Sequence, residues 1–134
     1  MTPIVLIDSS AWISYFLGQP SRGAQSVKRL LQAHRVATNA IVRIELLTGA
    51  RDEAQYAGLD DTLAGLHGLE LTPAVWRRAE RLRFDLRRGG HLVPLTDVVI
   101  ACCALAYDCQ LLHLDHHFEY IAHATPLKIY RPTE

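Results

Sequence analysis

Residues 4–7, Ile-Val-Leu-Ile, form an unbroken aliphatic run between Pro3 and Asp8, the pattern of a strand buried on both faces in a parallel sheet. Asp8 therefore stands at the C-terminal end of that strand. Ser9 or Ser10 is placed to cap a following helix, in which Trp12, Ile13, Tyr15 and Phe16 give a broad apolar surface until Gly18 and Pro20 stop it. A second helix spans about 21–34 with Val27, Leu30 and Leu31 inward, and residues 35–38 read as a short strand. Asn39 then caps a helix that runs to Gly49, on which Ile41, Ile44, Glu45 and Thr48 recur at spacings of three and four and so share one stripe. Glu45 points where its apolar neighbours point.

Residues 52–68 predict another helix and 69–72 a short strand, after which Pro73 opens a long helix that Gly89-Gly90 ends. Its buried stripe is Val75, Ala79, Leu82 and Leu86, while Arg77, Arg81, Phe84 and Arg88 fall on the opposite side. Thr96 is placed to cap a helix through Tyr107 that is apolar nearly all round and hence central, with Asp97 at its opening. Residues 111–114 predict a buried strand ending at Asp115, and 127–130 a last, edge strand. Strands alternating with helices imply an α/β fold: a central, mainly parallel sheet of four to five strands flanked by helices, in one domain over 1–134. Ligands of such sheets bind beyond the carboxyl ends of the strands, the edge from which Asp8 and Asp115 project.

Composition narrows the class. The 134 residues are 49% hydrophobic and 21% charged, as in a globular protein with a sizeable core. The longest apolar run, 98–107, is too short to cross a bilayer, and the N-terminus carries no signal-peptide pattern, so the expectation is a cytoplasmic protein that does not engage a membrane. Cys102 and Cys103 are adjacent and Cys109 makes the count odd, which suits buried free thiols better than disulfides or zinc. With 14 basic and 14 acidic residues, net charge announces no nucleic-acid partner. The crowded arginines of 77–88 read in two ways: as a phosphate-steering face, with Arg77, Arg81 and Arg88 as RNA contacts, or as a solvated helix face with Glu80 and Asp85 as partners.

Most acidic residues have polar or basic neighbours; four do not. Asp8 follows Ile-Val-Leu-Ile, Glu45 lies in an apolar stripe, Asp97 precedes Val-Val-Ile-Ala, and Asp115 follows Leu-Leu-His-Leu. Each alone has a plainer reading: Asp8 and Asp97 as helix caps or first-turn dipole partners, Glu45 as a half-exposed helix residue, Asp115 as a turn residue. Together they are costly, because burying a carboxylate takes several kcal/mol unless a partner or metal offsets it, and converging carboxylates repel. A divalent cation removes the conflict, and oxygen ligands select Mg²⁺, with Mn²⁺ able to substitute. The matching chemistry is metal-assisted phosphodiester hydrolysis, with Ser10 and Thr96 positioned to bond metal-bound water or the ligands. His113, His116, His117 and His123 cluster around Asp115 without a zinc signature, and His116 or His117 is placed for a nonligating role near RNA.

The stretch Val5-Leu6-Ile7-Asp8-Ser9-Ser10-Ala11-Trp12-Ile13 resembles the opening motif of PIN domains. Glu45 within 41–46, Asp97 within 95–101 and Asp115 within 111–118 resemble their second, third and fourth acids, and the resemblance covers nearly the whole chain. It implies a PIN-like fold of the size of the stand-alone VapC-type toxins. It also implies an acidic pocket binding Mg²⁺ or Mn²⁺, homodimerisation, cleavage of structured RNA such as tRNA or rRNA, and neutralisation by a cognate VapB-type antitoxin. In place of the common Asp-x-Asp-Phe of the fourth motif, the second Asp is here His117, which removes the fifth carboxylate on which a tightly held second metal would rest. The aromatic surface of the first helix, Trp12, Tyr15 and Phe16, exceeds what one sheet-facing stripe buries, and marks the expected antitoxin contact. Two rivals stay open: a noncatalytic, Mg²⁺-binding receiver-like module, for which a paired acid at the first strand and a late lysine are missing, and a PIN-like protein that binds RNA without cutting it.

Overall fold

The computed structural model describes residues 3–132. Within them the order is β1 (Val5–Ile7), α1 (Ser9–Phe16), α2 (Arg22–Gln32), β2 (Val36–Thr38), α3 (Ala40–Thr48), α4 (Glu53–Ala64), β3 (His67–Gly68), α5 (Pro73–Arg88), α6 (Leu95–Ala106), β4 (Gln110–Leu112), α7 (His117–Ala124) and β5 (Lys128–Ile129). The strands form one sheet in the order β3-β2-β1-β4-β5, and every pairing is parallel. The chain thus steps outward from β1 through β2 to β3, then returns to the other side of β1 for β4 and β5. The reversal lies between β1 and β4, the position where open sheets of this kind carry their ligand crevice.

The core explains why so short a sheet holds. Val5, Leu6 and Ile7 are fully buried, as are Leu111 and, nearly, Leu112 on the neighbouring strand. Across them lies α6, buried continuously from Asp97 to Ala104 and packed against α3, α5, α7 and β4. Its all-round apolar sequence is what a helix enclosed on every side requires. The stripe Val75, Ala79, Leu82 and Leu86 of α5 is buried against it, as its spacing predicts. All three cysteines are free and buried. No helix among the described residues is long and apolar enough to cross a membrane.

Several local expectations are corrected. Neither Ser9 nor Ser10 caps α1; Asp8 does, accepting the Ser10 amide, because its side chain stands one residue ahead of the first helical turn. Thr96 lies inside α6, where the N-cap position is Pro94 and no side chain bonds the end. The helix predicted over 52–68 ends at Ala64, and the third strand is His67–Gly68 rather than 69–72: Leu69 donates its amide to Thr38, but the segment then turns toward the Thr72 cap of α5. On α3 the buried residues are Val42 and Leu46, and Ile44 is 61% exposed, because α3 packs against α1, α4 and α6 on the side next to the expected stripe. Glu45 consequently sits half-buried at the margin of that packing.

Truncating Ile100, fully buried at the centre of α6, removes contacts that no neighbour can replace. Ile100→Ala is expected to destabilise the protein by about 2–5 kcal/mol, read from urea unfolding with an unchanged slope.

Candidate metal centre

Asp8 is the residue at which β1 becomes α1. Its amide donates to Leu112 O at 2.9 Å, continuing the pairing with β4, while its carbonyl receives the amides of Ala11 and Trp12. Its carboxylate is thereby fixed over the β1–β4 crevice, 3% exposed. Oδ2 accepts from the Ser10 hydroxyl at 2.7 Å and the Ser10 amide at 3.2 Å. Oδ1 is buried and has no hydrogen-bond partner among the described residues. The Ser10 hydroxyl also accepts the amide of Leu114 at 2.9 Å, so one serine ties the first acid to the loop carrying the fourth.

Asp115 opens that loop into α7. Its amide donates to His113 Nδ1 at 3.0 Å, and its Oδ1 accepts the amide of His117 at 3.0 Å. Asp97 lies in the first turn of α6, 7% exposed, where the amide dipoles favour negative charge, and its Oδ2 is likewise buried and unpartnered. Glu45 reaches in from α3 and accepts the Ser9 hydroxyl at 3.1 Å.

The four carboxylates are close enough to feel one another. Burial pushes Asp97 from the ordinary 3.8 up to about 7, and the charges of Asp8, Asp115 and Glu45 add to the rise. Burial also raises Asp8, opposed by its bonds to Ser10 and Ser9 and assisted by Asp115. Glu45 rises through burial and the charge of Asp8, opposed by the hydroxyls of Ser9 and Thr96. Two buried oxygens without partners amid mutually repelling carboxylates are an unmet demand for positive charge, and hard oxygen donors suit a divalent cation. The fit is therefore chemical as well as electrostatic. Histidines border it: His117 Nδ1 lies 3.0 Å from Asp115 Oδ1 and 3.6 Å from Asp97 Oδ2, and Asp115, His116 and His117 each offer a donor atom within 4.8 Å of the others.

The PIN domain family model matches residues 5–124, which includes all four acids. The chain belongs to the PIN-domain family. Within that family it is similar to VapC ribonuclease Mb1587 of Mycobacterium bovis, at 34% identity over 129 residues that cover 93% of this chain and 96% of the relative. Ribonuclease VapC11 of Mycobacterium tuberculosis matches to the same extent. Among solved structures, VapBC2 from Rickettsia felis bound to a promoter DNA fragment superposes with a TM-score of 0.77 at 19% identity, covering 95% of this chain and 97% of that one. VapBC-1 from nontypeable Haemophilus influenzae does so with a TM-score of 0.76 at 20% identity over 98% and 99%. The sheet and helices are thus those of a PIN fold.

Other residues singled out in this PIN-domain sequence fall differently. Arg77, Arg81 and Arg88 are exposed on α5 and do not enter the carboxylate network. Arg81 pairs with Asp85 at 3.2 Å, as a solvated helix face would, yet the guanidinium carbons of Arg81 and Arg88 also lie 5.4 and 5.6 Å from the centre of the exposed Phe84 ring. Trp12 is fully buried, stacked on Phe16 at 5.5 Å and edge-on to Tyr15 at 6.2 Å, so it supports the first helix from inside and cannot itself be a docking residue. Tyr15 is half-buried, and Phe16 is 44% exposed. The Ser9 hydroxyl, which the sequence offers beside that of Ser10, is the one that reaches Glu45. Sequence reasoning missed the chain by which Arg131 holds Glu119 at 2.9 and 3.1 Å and Glu119 holds His113 Nε2 at 2.8 Å, steadying the ring that receives the Asp115 amide.

The raised Asp97 carboxyl has a thermodynamic consequence. The folded protein keeps this proton up to about pH 7, whereas the unfolded chain releases it near 3.8, so between those values the folded state binds more protons. Without metal, stability is therefore expected to fall as pH rises through that window, by at most about 1.4 kcal/mol per pH unit. Asp97→Asn should flatten the dependence, as measured by urea midpoints from about pH 4 to pH 7 in a chelator.

Proposed function

We propose that residues 1–134 form one metal-dependent endoribonuclease unit that cleaves structured RNA, tRNA or rRNA, as the cytoplasmic toxin of a VapBC-type pair. Asp8, Glu45, Asp97 and Asp115 hold Mg²⁺, with Mn²⁺ able to substitute, directly or through water. The observation that carries this reading is the pair of buried, unpartnered oxygens, Asp8 Oδ1 and Asp97 Oδ2, in a cluster where burial and neighbouring carboxylates raise Asp8, Glu45 and Asp97. The names of the relatives, ribonucleases and VapBC complexes, support the same reading.

A bound divalent ion supplies an activated water and stabilises the leaving oxygen of a phosphodiester. The protein's own part is placement. Ser10 keeps Asp8 Oδ2 occupied and Oδ1 is without a partner among the described residues, while Ser9 holds Glu45 within the electrostatic reach of Asp8. His113 fixes the Asp115 backbone, and the exposed arginines of α5 attract the RNA backbone without touching the reacting atoms. Such contacts position a strand and weaken with salt.

For the partner, the exposed apolar residues of α1 and its C-cap are Ile13, Phe16 and Leu17, and the adjoining α3 exposes Ile44. A VapB-type antitoxin would lay an amphipathic helix on this surface and bring a basic side chain to the carboxylates, competing with metal. The toxin itself would act as a homodimer.

Incubating the purified chain with total cellular RNA, with Mn²⁺ or with EDTA, and mapping the new ends tests the reading directly. Cleavage should need metal, and Asp8→Asn or Asp97→Asn should lower it about a hundredfold or more, the loss of a few kcal/mol of transition-state stabilisation. Near wild-type cleavage by both variants would remove them from the site. Changing Arg77, Arg81 and Arg88 together to Ala should weaken RNA binding and flatten its salt dependence while largely keeping the saturating rate; an unchanged salt slope would assign that face to solvent.

A further inference from the structure

His117 lies where the carboxylates of α6 and of the β4–α7 loop come together, and its contacts there are unusual. Nδ1 is 3.0 Å from Asp115 Oδ1 and 3.6 Å from Asp97 Oδ2, yet it is buried and forms a hydrogen bond with neither. Asp97 Oδ2, on a side chain more than nine-tenths buried, is equally unpartnered and faces the same ring. Close approach without hydrogen-bond alignment is the relation between two ligands of one ion, whose lone pairs converge on a third point. Metal–ligand bonds of about 2.0–2.2 Å at octahedral or tetrahedral angles separate donor atoms by about 2.8–3.6 Å, the range into which the 3.0 and 3.6 Å contacts of Nδ1 fall.

We propose that the centre is a mixed oxygen and nitrogen site, in which His117 Nδ1 joins Asp97 and Asp115 as a ligand and turns the preference from Mg²⁺ toward first-row transition ions such as Mn²⁺. The proposal rests on the metal-dependent reading above and refines it. Imidazole is a poor partner for Mg²⁺, which favours oxygen donors, whereas it binds the divalent transition ions readily. The ring is also held in place. Its own amide is committed to Asp115 Oδ1 at 3.0 Å, which pins the backbone of the first turn of α7, and the ring of His116 packs against it at 4.3 Å. His116 is the outer neighbour: its side chain is 74% exposed and its Nδ1 lies 3.6 Å from Asp115 Oδ1, so it walls the site without being required by it.

The test measures binding and coordination, separately from cleavage. The purified chain is titrated with Mn²⁺ and with Mg²⁺ by calorimetry, and the Mn²⁺ complex is examined by pulsed electron paramagnetic resonance for ¹⁴N modulation from a directly bound imidazole. Wild type should bind Mn²⁺ more tightly than Mg²⁺ and show the nitrogen signal. His116→Ala should keep the signal and His117→Ala should lose it. His117→Asp, which restores an oxygen donor, should still bind metal, without nitrogen coupling and with a smaller gap between Mn²⁺ and Mg²⁺; it also serves if the alanine variant misfolds by circular dichroism. Mn²⁺ bound with an oxygen-only spectrum in wild type, or a nitrogen signal that survives in His117→Asp, would overturn the role of His117 while leaving the metal-dependent nuclease standing. Failure to bind either ion would overturn both.

Discussion

Four carboxylates placed where they repel one another set the terms for the rest of this structure. Each is drawn in by an element that must be buried for its own reasons: Asp8 by the strand at the sheet centre, Asp97 by the enclosed helix α6, Asp115 by the strand beside β1, and Glu45 by the margin of α3. Folding the apolar segments therefore forces the acids together. The cost is greatest at Asp97, where burial comes first and the charges of the other three acids add to it. Such a cluster lowers stability at the site, a cost that a bound cation would offset.

Neutral donors hold this arrangement open. Serine hydroxyls and backbone amides satisfy one side of Asp8 and part of Glu45 without cancelling their charge, whereas a lysine or arginine would have filled the place of the ion. Ser10 has a double task, since the hydroxyl that donates to Asp8 also receives the Leu114 amide. That links the ends of β1 and β4 across the crevice and sets the spacing between the first and fourth acids. The strand reversal supplies the location, and the hydroxyls supply the precision.

Much of this was legible from residue order. Runs such as 4–7 and 98–104 are so uniformly apolar that burial on all sides was their only outlet, and the acids at their ends stood out against them. What the sequence could not resolve depended on competition between near-equal neighbours. Whether Asp8, Ser9 or Ser10 caps α1 turns on one residue of register, and the strand ladder to Leu112 decides it. Whether Trp12 faces in or out depends on how α1 lies against α2 and α3, contacts that local periodicity does not contain. The exposure of Ile44 has the same origin, and the His113–Glu119–Arg131 chain joins residues that are brought together only by α7 and the segment beyond β5.

Uneven burial across the sheet also implies uneven opening. β3 has two residues, both exposed, and α4 buries only Leu63, so this edge buries little apolar surface and is held by its pairing with β2, the packing of α4 on α3, the contact of His67 Nε2 with His34 O at 3.0 Å and an ion pair between Asp60 and Arg43 of α3. The three residues of β1, Leu111 and Leu112 of β4, and α6 from Asp97 to Ala104 are buried. Amide protons of the β3–α4 edge should therefore exchange with solvent through small local openings, while those of β1 and α6 wait for global unfolding. Arg43 lies two residues before Glu45 on the same helix, so a breath of this edge reaches the carboxylate cluster through α3. An ion bound by Glu45 together with Asp8 and Asp97 would bridge the rigid half of the molecule to the loose one, and slow hydrogen exchange far beyond the side chains it touches.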